Sequence, residues 1–214
     1  MSKRNLIISC AVAALFAVYA LGTATIVKEG EEAKLTGEVA FDPNTVVNDF
    51  WQKNAEKYFN ENAVELTKLL EESGGDLKSV ASKYGHYSMG DHGELSFVVK
   101  GKGVVKEVKD KLRSGYLLLG LDGYTGDKTF RLQIGPVFKG TAVRDSISLI
   151  SYKDYKNQIE WAQVSVALYG LVQRDIVDKI NVSELKDKNV EFIGCFTDDG
   201  NTLRITPVEL KVSE

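Results

Sequence analysis

The hydrophobic period of the chain changes at residue 94, and this change constrains the fold more than any other feature of the sequence. Before it, apolar residues recur three and four positions apart, as on one face of a helix. After it, apolar and polar residues alternate, as in half-buried strands, and turn-forming sequences follow at short intervals. One longer helical stretch, at about residues 155–179 and opened by Asp154, interrupts the strands. The chain is therefore predicted to be an α+β protein.

The segment before the change predicts a helical subdomain at residues 41–85. Asp42 can cap a first helix that begins at Pro43. Proline suits the first helical position, because its φ is already helical and the N–H that it lacks would have no partner inside the helix. Further helices follow, the last of them capped by Asp76 and ended by Gly85.

Residues 86–214 are predicted to hold six short strands and the long helix. In the strand at 128–134, Phe130, Leu132 and Ile134 alternate with polar residues and should lie in the core. Gly101-Lys102-Gly103 predicts a tight turn between the first two strands.

Thr206-Pro207 interrupts the last predicted strand, which indicates an edge or a bulge. Because closing a short sheet removes its exposed edges, we predict a small, closed or half-closed antiparallel β-barrel. A flat sheet packed on the long helix is the alternative.

The N-terminus predicts a membrane-targeting segment. The 23 residues between Arg4 and Lys28 carry no charge, which is just enough to cross a hydrocarbon core of about 30 Å as a helix. Lys3 and Arg4 precede the apolar run and place the N-terminus in the cytoplasm and the rest of the chain outside it. We predict a signal-anchor segment at residues 1–27 and a tether at residues 28–40.

Three fates of this segment remain open. It can stay as an uncleaved transmembrane anchor, or a signal peptidase can cleave it near the small residues of Ala20-Leu21-Gly22. Lipidation of Cys10 is the third, although the main apolar run follows that cysteine instead of preceding it. The other cysteine, Cys195, is flanked by apolar residues and is predicted to be a small buried side chain.

Charge and composition exclude several classes of function. Without Lys3 and Arg4, the chain has 25 basic and 30 acidic residues, so nucleic acid is not a predicted partner. His86 and His92 are the only histidines and have no cysteine or carboxylate cluster of metal-ligand spacing around them. No metal site and no cofactor are predicted, because nucleotide and dinucleotide fingerprints are also absent from the sequence.

Candidate binding residues concentrate between residues 131 and 161. Arg144 and Asp145 are neighbours, and on an extended chain they would point to opposite faces and would not pair. Arg144 would then face anionic or hydroxyl groups of a ligand while Asp145 anchors the loop. In the structural alternative, one or both hold the turn at Gly140 against the long helix.

Four further candidates lie at the start of the long helix. Asn157 and Gln158 can line a binding site or satisfy unpaired N–H groups of the first helical turn. Tyr152 and Tyr155, with Trp161, can offer stacking surfaces to a sugar, or they can anchor the helix to the sheet.

Several short motifs, in a fixed order between about residues 40 and 212, together carry a family resemblance. They are Phe41-Asp42-Pro43, Lys83-Tyr84-Gly85, Gly101-x-Gly103, Gly135-Pro136 followed by Gly140-Thr141-Ala142 and Arg144-Asp145, and Asn157-Gln158-Ile159.

In these motifs the chain resembles the bacterial predicted periplasmic lipoproteins catalogued as a domain of unknown function. The resemblance implies a small barrel of the oligonucleotide/oligosaccharide-binding (OB) type with a helical subdomain, located in the bacterial cell envelope and often encoded beside ABC importers for simple sugars. The chain departs from the family pattern where a lipidated cysteine would precede Ile26-Val27, because Thr23-Ala24-Thr25 stands there.

Two functions of different class follow. The first is a non-catalytic, membrane-tethered module, accessory to sugar uptake, that binds a carbohydrate-related ligand or a component of an ABC transporter. The alternative is an enzyme acting on cell-envelope or imported carbohydrate with paired carboxylates such as Asp145 and Asp154, which a retaining glycosidase would hold about 5 to 5.5 Å apart.

The predicted topology can be tested on intact spheroplasts. Added protease should degrade the domain that follows residue 40, while the N-terminus stays protected, because the charge-free segment places the domain outside the cytoplasm. Immunoblotting with antibodies against each end gives the readout. Survival of the full-length chain would contradict the orientation, and a soluble form beginning near Thr23 would contradict the uncleaved anchor.

Overall fold

The computed structural model describes Tyr19 and residues 41–90 and 92–213. Apart from Tyr19, the predicted signal-anchor segment and the tether lie outside the described residues. Among the residues that are described, no helix is both long enough and apolar enough to cross a membrane. Asp42–Glu214 form one compact unit.

Within residues 41–90, four short helices precede the barrel. They are α1 (Pro43–Lys53), α2 (Ala55–Asn62), α3 (Leu66–Ser73) and α4 (Ala81–Tyr84), the last preceded by a 3₁₀ turn at Leu77–Val80. Both predicted caps are confirmed, since the Asp42 carboxylate accepts a hydrogen bond from the backbone N–H of Asn44 at 2.9 Å and that of Asp76 accepts one from Lys78 at 3.0 Å.

Five strands close into a barrel, which confirms the predicted architecture over the flat sheet. They are β3 (Leu95–Lys109), β4 (Ser114–Leu121), β5 (Thr129–Pro136), β6 (Asn189–Thr197) and β7 (Thr202–Ser213). The order around the barrel is β3-β4-β5-β7-β6, and β6 pairs back with β3. The β5–β7 pair is parallel, and the other barrel pairs are antiparallel.

Two very short strands lie beside β3, outside the barrel. In β1 (Val64–Glu65) the chain runs parallel to β3, and in β2 (Gly85–Tyr87) it runs antiparallel, with His86 opposite Ser96. Through β1 and β2, the helical part of the chain is hydrogen-bonded to the first half of β3.

The predicted turn at Gly101-Lys102-Gly103 is wrong, because β3 runs through it as one strand of 15 residues. Before the two glycines one edge of β3 pairs with β1 and β2, and from Gly103 onward that edge pairs with β4. The other edge pairs with β6 across the glycines. A Cβ atom at Gly103 would collide with the carbonyl oxygen of Gly120 in β4, and one at Gly101 would lie 3.0 Å from the ring of Phe192. The glycines are therefore needed for close approach between strands and not for a turn.

The barrel interior holds the predicted core residues. Phe130, Leu132 and Ile134 are 2%, 0% and 5% exposed, which confirms the alternation of β5.

Cys195 is fully buried as predicted, and burial raises the pKa of its thiol to about 12, so the thiol stays protonated at neutral pH. The predicted bulge at Thr206-Pro207 is confirmed by the register shift between β6 and β7.

The connection between β5 and β6 carries the remaining helices. They are α5 (Ala142–Asp145), a 3₁₀ turn (Tyr152–Asp154), α6 (Gln158–Val172), a π-helical turn (Gln173–Val177) and a 3₁₀ turn (Val182–Glu184). The long helix thus begins later than predicted. Asn157, not Asp154, caps it, since the Asn157 side chain accepts from the N–H groups of Ile159 and Glu160 at 2.9 and 3.0 Å.

Two glycine substitutions test the role assigned to β3. Gly103→Ala should lower the free energy of unfolding by about 1 to 3 kcal/mol, because the new methyl group must displace the backbone of β4. The matched control is Gly170→Ala in α6, where no atom lies within 4 Å of the added Cβ. This control should raise the stability by about 0.5 to 1 kcal/mol through helix propensity.

Urea unfolding of the detergent-solubilised chain, followed by tryptophan fluorescence, measures both effects. If Gly103→Ala were as stable as the wild type, the close contact between β3 and β4 would not exist.

Candidate functional site

Arg144 and Asp145 form a buried ion pair. The two residues are 7% and 2% exposed, and Arg144 Nη2 lies 2.6 Å from Asp145 Oδ1. Arg144 Nε donates to the same oxygen at 2.8 Å. The expectation that these neighbours do not pair is wrong, because they lie in the helical turn of α5 and not in an extended segment.

The remaining polar atoms of the pair also bond to the protein. Arg144 Nη1 donates to the carbonyl of Trp161 at 3.0 Å, and the guanidinium lies 4.1 Å from the centroid of the Trp161 ring. Thr141 Oγ1 donates to Asp145 Oδ2 at 2.5 Å. These contacts support the structural alternative, in which the pair joins α5 to α6. A contact between Arg144 and a ligand stays a prediction, but its donors are directed at protein atoms.

The other four predicted site residues lie around the start of α6. Tyr152 and Tyr155 are half-buried, with ring centroids 5.9 and 5.2 Å from that of Trp161. Asn157 caps the helix, and Gln158 is exposed in its first turn. Burial, reinforced by Asp154, raises the pKa of Tyr155. Tyr152, Tyr155 and Arg144 thus contact the ring of Trp161. The role of the candidate residues in binding stays a prediction.

Asp145 connects this cluster to the other side of the domain. Its backbone carbonyl lies 2.5 Å from Nδ1 of His86, which is 59 residues earlier in the sequence. Since a carbonyl can only accept, Nδ1 carries the hydrogen and Nε2 is left as an acceptor in the neutral ring. The ion pair therefore fixes the position of the atom that orients His86.

His86 lines a cleft of about 540 Å³ between the helices and the barrel. Its floor is the outer face of β3, at Ser96, Val98 and Lys100. The walls come from three parts of the chain, namely the end of α2 with β1 and α3 (Tyr58, Glu61, Asn62, Ala63, Val64, Glu65, Lys68), α4 with β2 (Lys83, Tyr84, Gly85, His86), and the segment after α5 (Ser146, Ser148).

Tyr58 holds two walls of this cleft together. Its hydroxyl donates to the carbonyl of Ser146 at 2.8 Å and accepts from the N–H of Ser148 at 2.8 Å. Because Ser146 directly follows Asp145, the ion pair and the Tyr58 hydroxyl fix the same short segment from opposite sides.

The charges of the cleft are nearly balanced. The lining has three ammonium groups, from Lys68, Lys83 and Lys100, and two carboxylates, from Glu61 and Glu65. Lys83 is bound to Glu72 at 2.7 Å, and this contact, with the hydroxyl of Tyr84, lowers the pKa of the Glu72 carboxyl.

The interactions of Lys100 and Lys68 are longer. Lys100 lies 3.6 Å from Glu65, and Lys68 lies 3.9 Å from Glu72. The ammonium groups of Lys68 and Lys100 are thus bound only weakly by neighbouring carboxylates.

The sequence pattern does not predict this cleft. Its walls come from segments distant in the sequence, and alternation in β3 indicated only that Ser96 and Lys100 share a face. The one signal was Lys83-Tyr84-Gly85, which belongs to the family resemblance and lines the cleft.

The paired carboxylates of the enzyme hypothesis do not form an open site. Asp145 is 2% exposed and bonded to Arg144 and Thr141, so it cannot reach a glycosidic bond. Within residues 41–90 and 92–213, no cluster of three or more histidine, cysteine or carboxylate side chains could hold a metal ion.

The closed five-stranded barrel, with its long helix between β5 and β6, defines an OB-fold protein. A crystal structure of an OB-fold protein from Thermotoga maritima superposes with a TM-score of 0.63 at 18% sequence identity, covering 82% of this chain and 100% of that one.

Residues 12–211 match the family model described as "Predicted periplasmic lipoprotein (DUF2291)". The chain belongs to this family, a domain family of unknown function. No curated protein matches the chain.

Family membership confirms the predicted localisation. The protein belongs to the bacterial cell envelope, tethered to the membrane with its folded domain outside the cytoplasm.

The barrel offers a second surface, because OB barrels commonly bind ligands on the outer face of their second and third strands. Here those strands are β4 and β5. On this face the guanidinium of Arg131 lies 4.5 Å from the centroid of the Tyr116 ring, so the arginine covers the aromatic surface that a ligand would use.

Two arginine substitutions test whether the buried ion pair is structural. Arg144→Ala should lower the free energy of unfolding by about 3 to 5 kcal/mol, because it leaves the carboxylate of Asp145 buried without its partner. The matched control is Arg174→Ala, because Arg174 also pairs with the next residue, Asp175, but is itself exposed. The control should unfold at nearly the same urea concentration as the wild type.

Equal stability of Arg144→Ala and the wild type would contradict the structural role. That result would favour a role for Arg144 in ligand binding.

Proposed function

We propose that this protein is a non-catalytic, membrane-tethered binding module of the cell envelope, accessory to sugar uptake, and that its cleft binds a small polyhydroxylated ligand such as a monosaccharide. The observation that carries the proposal is the cleft between the helices and β3, with its mixed set of donors and acceptors.

The composition of the lining supports a hydroxylated ligand. A hydroxyl group both donates and accepts, so a ligand rich in hydroxyls needs both kinds of partner. Glu61 and Glu65 can accept, Lys68 and Lys100 can donate, and the amide of Asn62 can do both. Tyr58 adds aromatic surface for the C–H face of a sugar ring, whereas the ring of Tyr84 is covered by Lys83, whose Nζ lies 4.6 Å from the ring centroid.

The charge balance supports a neutral ligand over a phosphorylated one. Lys83 is already bound to Glu72, and Lys100 faces Glu65, so little positive charge is left uncompensated. A phosphate site would instead concentrate unpaired cationic groups or backbone N–H groups.

The proposed accessory role in sugar uptake has two supports, the localisation of the family and what the family resemblance implies. The family is one of predicted periplasmic lipoproteins, and because imported sugars pass through the cell envelope, this supports the proposed role. The family resemblance also implies genes for simple-sugar ABC importers as neighbours, so a transporter component is the proposed partner.

Calorimetric titration of the full chain in detergent tests the proposal. D-Ribose, D-xylose and D-glucose, each with its phosphate ester, are the probes. At least one free sugar should bind, and Glu65→Ala should weaken its affinity by about tenfold or more, because a charged acceptor is lost.

The matched control is Glu107→Ala, which removes another exposed carboxylate next to a lysine, on the same strand as the floor but outside the cleft. It should bind as the wild type does. In cells that lack the native gene, Glu65→Ala should restore less uptake of that sugar than Glu107→Ala. Binding of no free sugar, or equal affinity of both variants, would contradict the proposed function.

A further inference from the structure

We infer that His86 is the hydrogen-bond acceptor that determines ligand specificity in the cleft, and that the Asp145 carbonyl holds it in the required tautomer. The inference rests on the proposed function of the cleft. It predicts that bound ligands present a hydroxyl or another donor to His86 Nε2.

The ring of His86 lies beside the floor of the cleft. His86 lies in β2 directly opposite Ser96 of β3, so the two side chains share the face of the sheet that forms the cleft floor. Nδ1 is directed at the Asp145 carbonyl, which belongs to the segment forming one wall. The Nε2 atom lies on the other side of the ring, away from that carbonyl.

The two nitrogens of the His86 ring have different hydrogen-bonding roles. One hydrogen bond fixes Nδ1 as the donor, so the neutral ring presents an acceptor at Nε2. Nε2 has no hydrogen-bond partner among residues 41–90 and 92–213, nor is it a buried atom lacking one. It is therefore accessible to a ligand donor.

The ring of His86 is already oriented before a ligand binds. Asp145 is held by Arg144 and Thr141, so its carbonyl cannot turn away. A ligand that meets His86 finds an acceptor already in place and does not have to order it, which improves affinity. Lysine side chains of the lining are more than 45% exposed and offer no comparable rigidity.

Two substitutions separate the two nitrogens. The side-chain nitrogen of asparagine can take the position of Nδ1, so His86→Asn keeps the bond to Asp145 and deletes the acceptor. Glutamine reaches the position of Nε2, so His86→Gln keeps a polar group in the cleft and loses the bond to Asp145.

Titration of each full-length variant in detergent with D-ribose, D-xylose and D-glucose gives the readout. His86→Asn should melt near the wild-type temperature and bind the sugar about tenfold more weakly. His86→Gln should melt at a lower temperature yet bind more tightly than His86→Asn. The matched control, His92→Asn, changes the other histidine, outside the cleft lining, and should bind as the wild type does.

The tautomer is measured independently by ¹⁵N NMR of histidine side chains at a pH where the ring is neutral. The expected signals are a protonated Nδ1 and an unprotonated Nε2 for His86. A protonated Nε2, or wild-type affinity in His86→Asn, would overturn the inference while leaving sugar binding in place. If the wild-type chain binds none of the three sugars, the proposed function and this inference both fail.

Discussion

The buried ion pair between Arg144 and Asp145 is the interaction on which the candidate site depends. Removing both charges from water costs several kcal/mol per ion, which only well-oriented partners can offset. Arg144 finds them in Asp145, in the carbonyl of Trp161 and in the face of its ring. The four residues of α5 are too few to be stable as a helix alone, so these contacts fix their position.

The turn of α5 positions side chains on two sides, at the start of α6 and in the cleft. Toward α6, the guanidinium lies against Trp161, around which Tyr152 and Tyr155 also pack. Toward the cleft, the carbonyl of Asp145 orients His86. The residue pair that the sequence suggested as a ligand contact is thus bonded to protein atoms, and in the proposed site it would act on a ligand only through His86.

Period and cap signals predicted the barrel, its core and the first helices, because these depend on local patterns. Leu132 lies in the core since strict alternation has one meaning in a strand. The predicted turn at Gly103 is wrong because a glycine in a turn and a glycine in a crowded strand look alike in sequence. The pairing of Arg144 with Asp145 depended on whether a four-residue stretch was helical, and no period can be read from so few residues.

The cleft could not be predicted, because it is a product of long-range pairing. His86 and Asp145 are 59 residues apart, and Tyr58 lies 88 residues before its partner Ser146. The pairing of β1 and β2 with β3, together with the packing of α5 against β6 and β3, brings these segments together. The sequence contained the participating side chains, but the information that they meet lies in strand register.

Chemical-shift mapping tests the location of the ligand site most directly. Amide spectra of the full chain in detergent micelles would be recorded with and without the monosaccharide that binds best. The cleft predicts that the shifted amides cluster in β2, in the first half of β3 and in the segment of Ser146 and Ser148. Shifts confined to the outer face of β4 and β5, around Tyr116 and Arg131, would contradict it and place the ligand on the surface that OB barrels commonly use.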